Sequence, residues 1–246
     1  MKNVILYFKI KDAPYKAHES IIKYLHAQID NSLHYGWDPS DIVIITNFDF
    51  NYRGVTQIIA KDICEYNVWA NKFYAVKELF DLHFKDDIWL HDYDVWQTGE
   101  FTFPKFSGMF AGCPYDATNP NWNGGSFFFS KNSYPLLEYF VNFYKMNENL
   151  IANIEGGEKS YWYCDEFIVS YLRTVPEVAH LFSPLTPQYN LGMTWFKSRY
   201  EFATKPIKAI HVKLLHKEQR DKYNNLSTGL NLIPDHLNDI INKYSL

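Results

Sequence analysis

Three short apolar runs separated by amphipathic stretches constrain this chain more than any other feature. "VILYFKI" (4–10), "DIVIIT" (41–46) and "DIWL" (87–90) are β-rich and of strand length. Between them, residues 18–34 put Ile21, Ile22, Leu25, Ile29 and Leu33 on one helical stripe, and residues 71–83 do the same with Phe73, Val76, Leu79 and Phe80. Strand, helix, strand, helix, strand predicts an α/β protein: a Rossmann-like, mostly parallel sheet flanked by helices.

The second half is less regular. "GMFAGCP" (108–114), "GSFFFSK" (125–131) and "IKAIHV" (207–212) read as strands. Residues 133–146 and 161–172 read as helices, and 234–244 as a closing helix begun by Pro234. With no repeat, low-complexity tract or long linker, residues 1–246 are expected to form a single domain.

Composition narrows the function classes. A hydrophobic content of 47% fits a globular chain, and a net charge of −4 argues against a general nucleic-acid binder. Cys64, Cys113 and Cys164 are too few and too far apart for a zinc or disulfide framework, which suits a reducing compartment. The opening "MKNVILYFKIK" is too short for a secretory signal, and no apolar run approaches the ~20 residues that cross a bilayer. The expectation is a cytoplasmic protein.

"IWLHDYDVW" (88–96) breaks this pattern with Asp92 and Asp94, charges placed one residue apart within an apolar run. Ligands of open parallel sheets bind where strands end at their carboxyl edge. Residues two apart on an extended segment project to one side. Both carboxylates are thus expected to face one point at that edge, where they suit a hard divalent cation; a solvated turn after the strand is the alternative.

Other groups add weaker signals. Asp165 and Glu166 sit among Tyr161, Trp162, Tyr163 and Phe167; they suit acid–base work in an aromatic pocket or the dipole of a first helical turn. Gly124 and Gly125 after Asn123 allow close backbone approach to a ligand or make an ordinary turn. From Lys197 to Lys222 there are eight Lys or Arg against three acids, either an anion clamp or a solvated basic face. Trp96, Trp122, Trp162 and Trp195 are candidates for stacking on a sugar or base, and Trp122 and Trp162 lie nearest the motifs. His18, His26, His34, His83, His180 and His236 show no ligand pairing and read as structural. Neither G-x-G-x-x-G nor a P-loop is present.

Taken in order, these motifs resemble the A-fold (GT-A) glycosyltransferases, and most closely the metal-dependent retaining group that includes glycogenin and bacterial galactosyltransferases. "NKFYAVKELF" resembles the family's donor-side helix, with Lys72 as its basic residue, and "DDIWLHDYDVW" its metal strand. "NWNGGSFFFSK" is similar to the segment lining the sugar pocket, and "YWYCDEFIVSYL" to the acidic helix start beside the reacting carbon. "AIHVKLLHK" resembles a C-terminal motif with a metal-binding His and, six residues on, a phosphate-binding Lys. It departs from that motif at Leu214, where the family carries Gly, and at Glu218 and Gln219, where it carries Pro-Trp.

The resemblance implies a nucleotide-binding half over about 1–96 and an acceptor and sugar half over about 97–246. It implies Asp92, Asp94 and His211 as ligands of Mn²⁺ or Mg²⁺, the imidazole favouring Mn²⁺. It places Lys72, Asp92, Asn123, Gly124, Gly125 and Lys217 on a nucleotide-diphosphate sugar, and gives Asp165 and Glu166 catalytic roles. Turnover is expected to be metal-dependent sugar transfer to a hydroxyl, with retention. The acceptor stays open among a glycan, a lipid-linked glycan, a protein and a modified nucleic-acid base. Two other readings are a catalytically silent nucleotide-sugar-binding protein on the same fold and a two-carboxylate hydrolase.

Overall fold

The computed structural model describes residues 1–9, 15–64, 67–115, 121–149 and 165–245. The first half follows the expected alternation. β1 (Lys2–Tyr7), α1 (Tyr15–His34), β2 (Ile42–Thr46), β3 (Thr56–Ile59), α2 (Asn71–Asp81) and β4 (Ile88–His91) occur in that order. The four strands lie side by side as β3-β2-β1-β4, all parallel. Every residue of β2 and β4 is buried, which matches their predominantly apolar sequence. The first strand ends at Tyr7, short of the predicted Ile10, which lies outside the described residues.

β5 (Val95–Gln97) leaves this sheet. β6 (Phe110–Pro114), β7 (Trp122–Phe129) and, after α3 (Tyr134–Met146), α4 (Asp165–Leu172) and α5 (Pro176–Ala179), β8 (Phe182–Pro184) complete it. The seven-stranded order is β3-β2-β1-β4-β7-β6-β8, with β7 antiparallel to both neighbours. β7 begins at Trp122, before the predicted Gly125, and all of its residues are buried. The paired glycines are therefore part of a central strand and not a turn. Residues 161–164, predicted to open α4, lie outside the described residues, and with them Tyr161, Trp162, Tyr163 and Cys164.

A three-stranded sheet, ordered β5-β10-β9, is formed with β9 (Leu191–Gly192) and β10 (Ala209–His211). α6 (Phe196–Phe202), α7 (Lys217–Leu226) and α8 (Asp235–Tyr244) surround it. These strands are two or three residues long and carry no period of their own. α7 buries only Tyr223, so it shows no apolar stripe in the sequence. No helix among the described residues is long and apolar enough to cross a membrane.

α8 packs on α1 through a polar seam. Asp30 accepts hydrogen bonds from Lys243 Nζ (2.8 Å) and the hydroxyl of Tyr244 (2.8 Å). Beside it, the rings of His34 and His236 stack at 3.8 Å, and His236 Nε2 reaches Asn31 Oδ1 at 2.9 Å. These two histidines stack on each other where α8 meets α1. Burial, helped by His34, pushes His236 down to about 4. The unfolded chain protonates that residue near the ordinary histidine value of about 6.5. Stability from this site is therefore complete above that value and falls as pH drops towards 4. His236→Gln is expected to flatten the loss of urea stability across this window; an unchanged pH profile would remove the seam from the account.

Candidate active site

The chain crosses from one sheet to the other at Asp92-Tyr93-Asp94. β4 ends at His91 and β5 starts at Val95, and the link is a tight turn closed by Val95 N–H donating to Asp92 C=O (3.0 Å). The carboxylates converge through this turn, whereas the sequence suggested an extended segment. The turn is pinned from three sides. Asp92 N–H donates to Gly125 C=O (2.9 Å), and Val212 N–H to Asp94 C=O (2.9 Å). Gln28 Nε2 on α1 donates to the carbonyls of Tyr93 and Val95, each at 2.8 Å. His91 faces away, stacked on Trp89 with Nε2 at 2.9 Å from Asn3 Oδ1.

β10 brings His211 to the same place, because pairing with β5 sets His211 opposite Val95. Ligand atoms of Asp92, Asp94 and His211 then lie within 4.8 Å of one another, and no other such group occurs among the described residues. His211 Nε2 is 3.3 Å from Asp94 Oδ1. Its Nδ1 lies 3.0 Å from Asn123 Oδ1, an acceptor; a proton on Nδ1 satisfies that contact and leaves Nε2 with a lone pair towards Asp94. Two lone pairs at such a distance repel unless a cation, a proton or a metal ion, lies between them. Burial works against charge on His211, but Asp94 and Asp92 outweigh it and raise its pKa. Burial likewise pushes Asp94 up, and His211 more than offsets this to hold it below the usual carboxylate range. Two carboxylates and one imidazole form a donor set that fits a divalent metal ion.

Lys72 closes the other side. Carried in on α2, it is almost fully buried, and its Nζ lies 2.8 Å from Asp92 Oδ1, 2.6 Å from Asp165 Oδ2 and 2.7 Å from Gly124 C=O. Burial opposes its charge, but Asp165 and Asp92 outweigh that and keep it protonated. Burial and the nearby carboxylates push Asp92 up to about 6 against the pull of Lys72. Asp165 and Glu166 stand in the first described turn of α4, at the edge of the site. Glu166 has both oxygens engaged, by Gly124 N–H (2.8 Å) and by the Tyr115 hydroxyl (2.8 Å). Burial, with Asp165 adding, raises its pKa.

The glycine pair has a steric explanation. A Cβ on Gly124 would overlap the Asp165 carboxylate, and one on Gly125 would overlap the His211 ring. Only glycines let the β7 backbone lie this close to both side chains.

A cleft of about 220 Å³ opens here, lined by Asp94, Asn123, Arg199, His211, Lys213 and Gln219 among others. A larger cleft, about 630 Å³, lies elsewhere and is lined by Tyr35, Trp37, Phe101 and Lys208 among others. It contains none of the converging carboxylate and imidazole groups, so chemistry and not size identifies the site. Of the predicted residues, Lys72, Asp92, Asp94, Asn123, Gly124, Gly125, Asp165, Glu166 and His211 are brought together. Lys217 is not among the residues lining the cleft; it is largely exposed on α7 and pairs with Asp221 (2.7 Å). Lys213, two residues after His211, is the lysine that lines the cleft. Trp96 and Trp122 are fully buried and unable to stack on a ligand, whereas Trp195 is 52% exposed and meets Tyr115 edge-on. Asn190, Tyr115 and Gln28 carried no local sequence signal, and Arg199 only the general excess of basic residues over 197–222.

Lys72→Met leaves the buried Asp165 and the half-buried Asp92 without their cation, and is expected to cost about 3–5 kcal/mol in urea unfolding at neutral pH. Gly125→Ala forces the His211 ring to move and should cost about 1–3 kcal/mol by the same measurement. Parent-like stability in either variant would contradict the packing described here.

No protein-family model and no curated protein sequence matches this chain. Solved structures do. The galactosyltransferase LgtC, in complex with donor and acceptor sugar analogues, superposes over 98% of this chain and 100% of its own, with a TM-score of 0.57 at 10% identity. The glycosyltransferase GlyE of Streptococcus pneumoniae TIGR4 gives 0.57 at 15% identity, over 98% of this chain and 63% of its own. The bifunctional glycosyltransferase WbbM gives 0.51 at 12% identity, over 100% of this chain and 51% of its own. The mixed seven-stranded sheet with its flanking helices is the GT-A glycosyltransferase fold.

Proposed function

We propose that this protein is a metal-dependent glycosyltransferase that moves a sugar from a nucleotide-diphosphate donor to an acceptor hydroxyl. The observation that carries the reading is the convergence of Asp92, Asp94 and His211 at the carboxyl edge of β4, where the two sheets meet. Similarity to glycosyltransferase structures over nearly the whole chain supports it.

Asp92, Asp94 and His211 would hold the cation, with Mn²⁺ favoured by the imidazole. When bound, a divalent ion neutralises charge growing on a departing diphosphate. Lys213, on the cleft wall, supplies a further cation on the diphosphate side. Lys72 orders Asp92 and Asp165 about one ammonium, so that Asp165 reaches the donor sugar in a fixed position. Gly124 and Gly125 keep the β7 backbone low enough for this approach. Retention follows the group that the motifs resemble.

A two-carboxylate hydrolase would need no nucleotide, so a stabilising nucleoside diphosphate separates the transferase from it. A silent binding protein would be free to lose its ligand set, and here the set is complete.

A thermal-shift panel of nucleoside diphosphates, each with and without Mn²⁺, tests the proposal. One diphosphate is expected to stabilise the protein only with Mn²⁺, by about 2.7 kcal/mol at a hundredfold excess over its dissociation constant. Asp94→Asn should abolish both that effect and turnover. No shift with any nucleotide, or normal turnover in Asp94→Asn, would reject the assignment.

A further inference from the structure

We infer that Asn190 and Arg199, acting through Asn123, are positioning residues that fix the tautomer and the direction of the His211 imidazole so that Nε2 is offered to a divalent cation. This deepens the metal-site reading above and rests on it, but the geometry is independent of any sugar chemistry.

The polarity of the chain of hydrogen bonds is set at both ends. Asn123 Oδ1 accepts from Gly125 N–H (3.2 Å), and a backbone amide can only donate. The amide of Asn123 is therefore held with oxygen towards His211. At its other end, Asn123 Nδ2 donates to the Tyr115 hydroxyl (3.2 Å), which donates to the Glu166 carboxylate (2.8 Å). A flipped amide would set NH₂ against N–H at one end and misalign the other.

Asn190 strengthens this choice. Its Nδ2 donates to Asn123 Oδ1 (2.6 Å) and to Asn123 C=O (3.2 Å). Asn190 Oδ1 is buried, and no hydrogen-bond partner for it occurs among the described residues. Leaving an acceptor unsatisfied in a buried position is unfavourable, and here it accompanies an amide turned so that its donor meets Asn123. Arg199 in turn holds Asn190: its guanidinium donates to Asn190 C=O and lies over the Tyr115 ring at 5.2 Å. Arg199 is fully buried on α6 and reaches both arms of the network, the one to His211 and the one to Glu166.

Partners of this kind orient a ligating histidine through its second nitrogen, and their removal typically weakens metal binding 10–100-fold. Here the acceptor on Nδ1 is a side-chain amide, itself aimed by a second amide.

The test uses the full chain with ¹⁵N-labelled histidine, free of metal and in alkaline buffer so that the ring carries one proton. The parent should show His211 protonated on Nδ1, with Nε2 bare. Asn123→Leu should lose that preference, and Asn123→Asp, which keeps an acceptor, should restore it. In Mn²⁺ titrations followed by electron paramagnetic resonance, Asn190→Ala should bind about 10–100-fold more weakly than the parent while its far-UV spectrum is unchanged. A parent ring protonated on Nε2, or Mn²⁺ affinity of Asn190→Ala within about twofold of the parent, would overturn the inference. A parent that binds no Mn²⁺ would instead overturn the metal reading. The tautomer spectra of the parent and Asn123→Leu would then decide the positioning by themselves.

Discussion

A buried ammonium is tolerable only where carboxylates and carbonyls surround it, and Lys72 is surrounded on three sides. That requirement ties together parts of the chain that are far apart in sequence. α2 delivers the cation, the turn after β4 delivers Asp92, β7 delivers a carbonyl, and α4 delivers Asp165. Each must arrive before the others are comfortable, since any one missing leaves a charge in a low-dielectric interior. The site is thus built around a structural cation, with Asp94 and His211 placed one step further out.

The boundary between the sheets gives the site its second property. Asp92 and Asp94 end one sheet and begin the other, and β10 pairs with β5 to bring His211 alongside. An apolar strand acquires two charges at this point because here it stops being interior to one layer and becomes the hinge line between two. The sequence pattern "HDYD" is a record of that change of surroundings.

Much of this was legible from the sequence because it is local. β1, β2 and β4 are built on short apolar runs, and α1 and α2 carry clear stripes, so local pattern identifies them. Asp92 and Asp94 were visible as charges out of place. The three-stranded sheet was not, apart from β10, since strands of two or three residues owe their form to their partners. The Asn123–Asn190–Arg199 network was hidden for the same reason: an amide has no sequence period, and its role exists only once β7, β9 and α6 have met. Motif spacing pointed to Lys217, and Lys213, nearer to His211 in sequence, is the lysine that lines the cleft. The aromatic residues divide likewise by burial, which composition does not report: Trp122 belongs to the core and Trp195 to the surface.

The two glycines of β7 have a wider meaning than close packing. A central strand filled with side chains would hold its neighbours at a distance fixed by those side chains. Where β7 has none, Asp165 approaches from α4 against Gly124, and His211 from the second sheet against Gly125. The strand acts there as a bare rail against which two unrelated parts of the chain are gauged. The spacing between the Asp165 carboxylate and the His211 imidazole is consequently gauged by the β7 backbone at Gly124 and Gly125, with no side chain between them to set it.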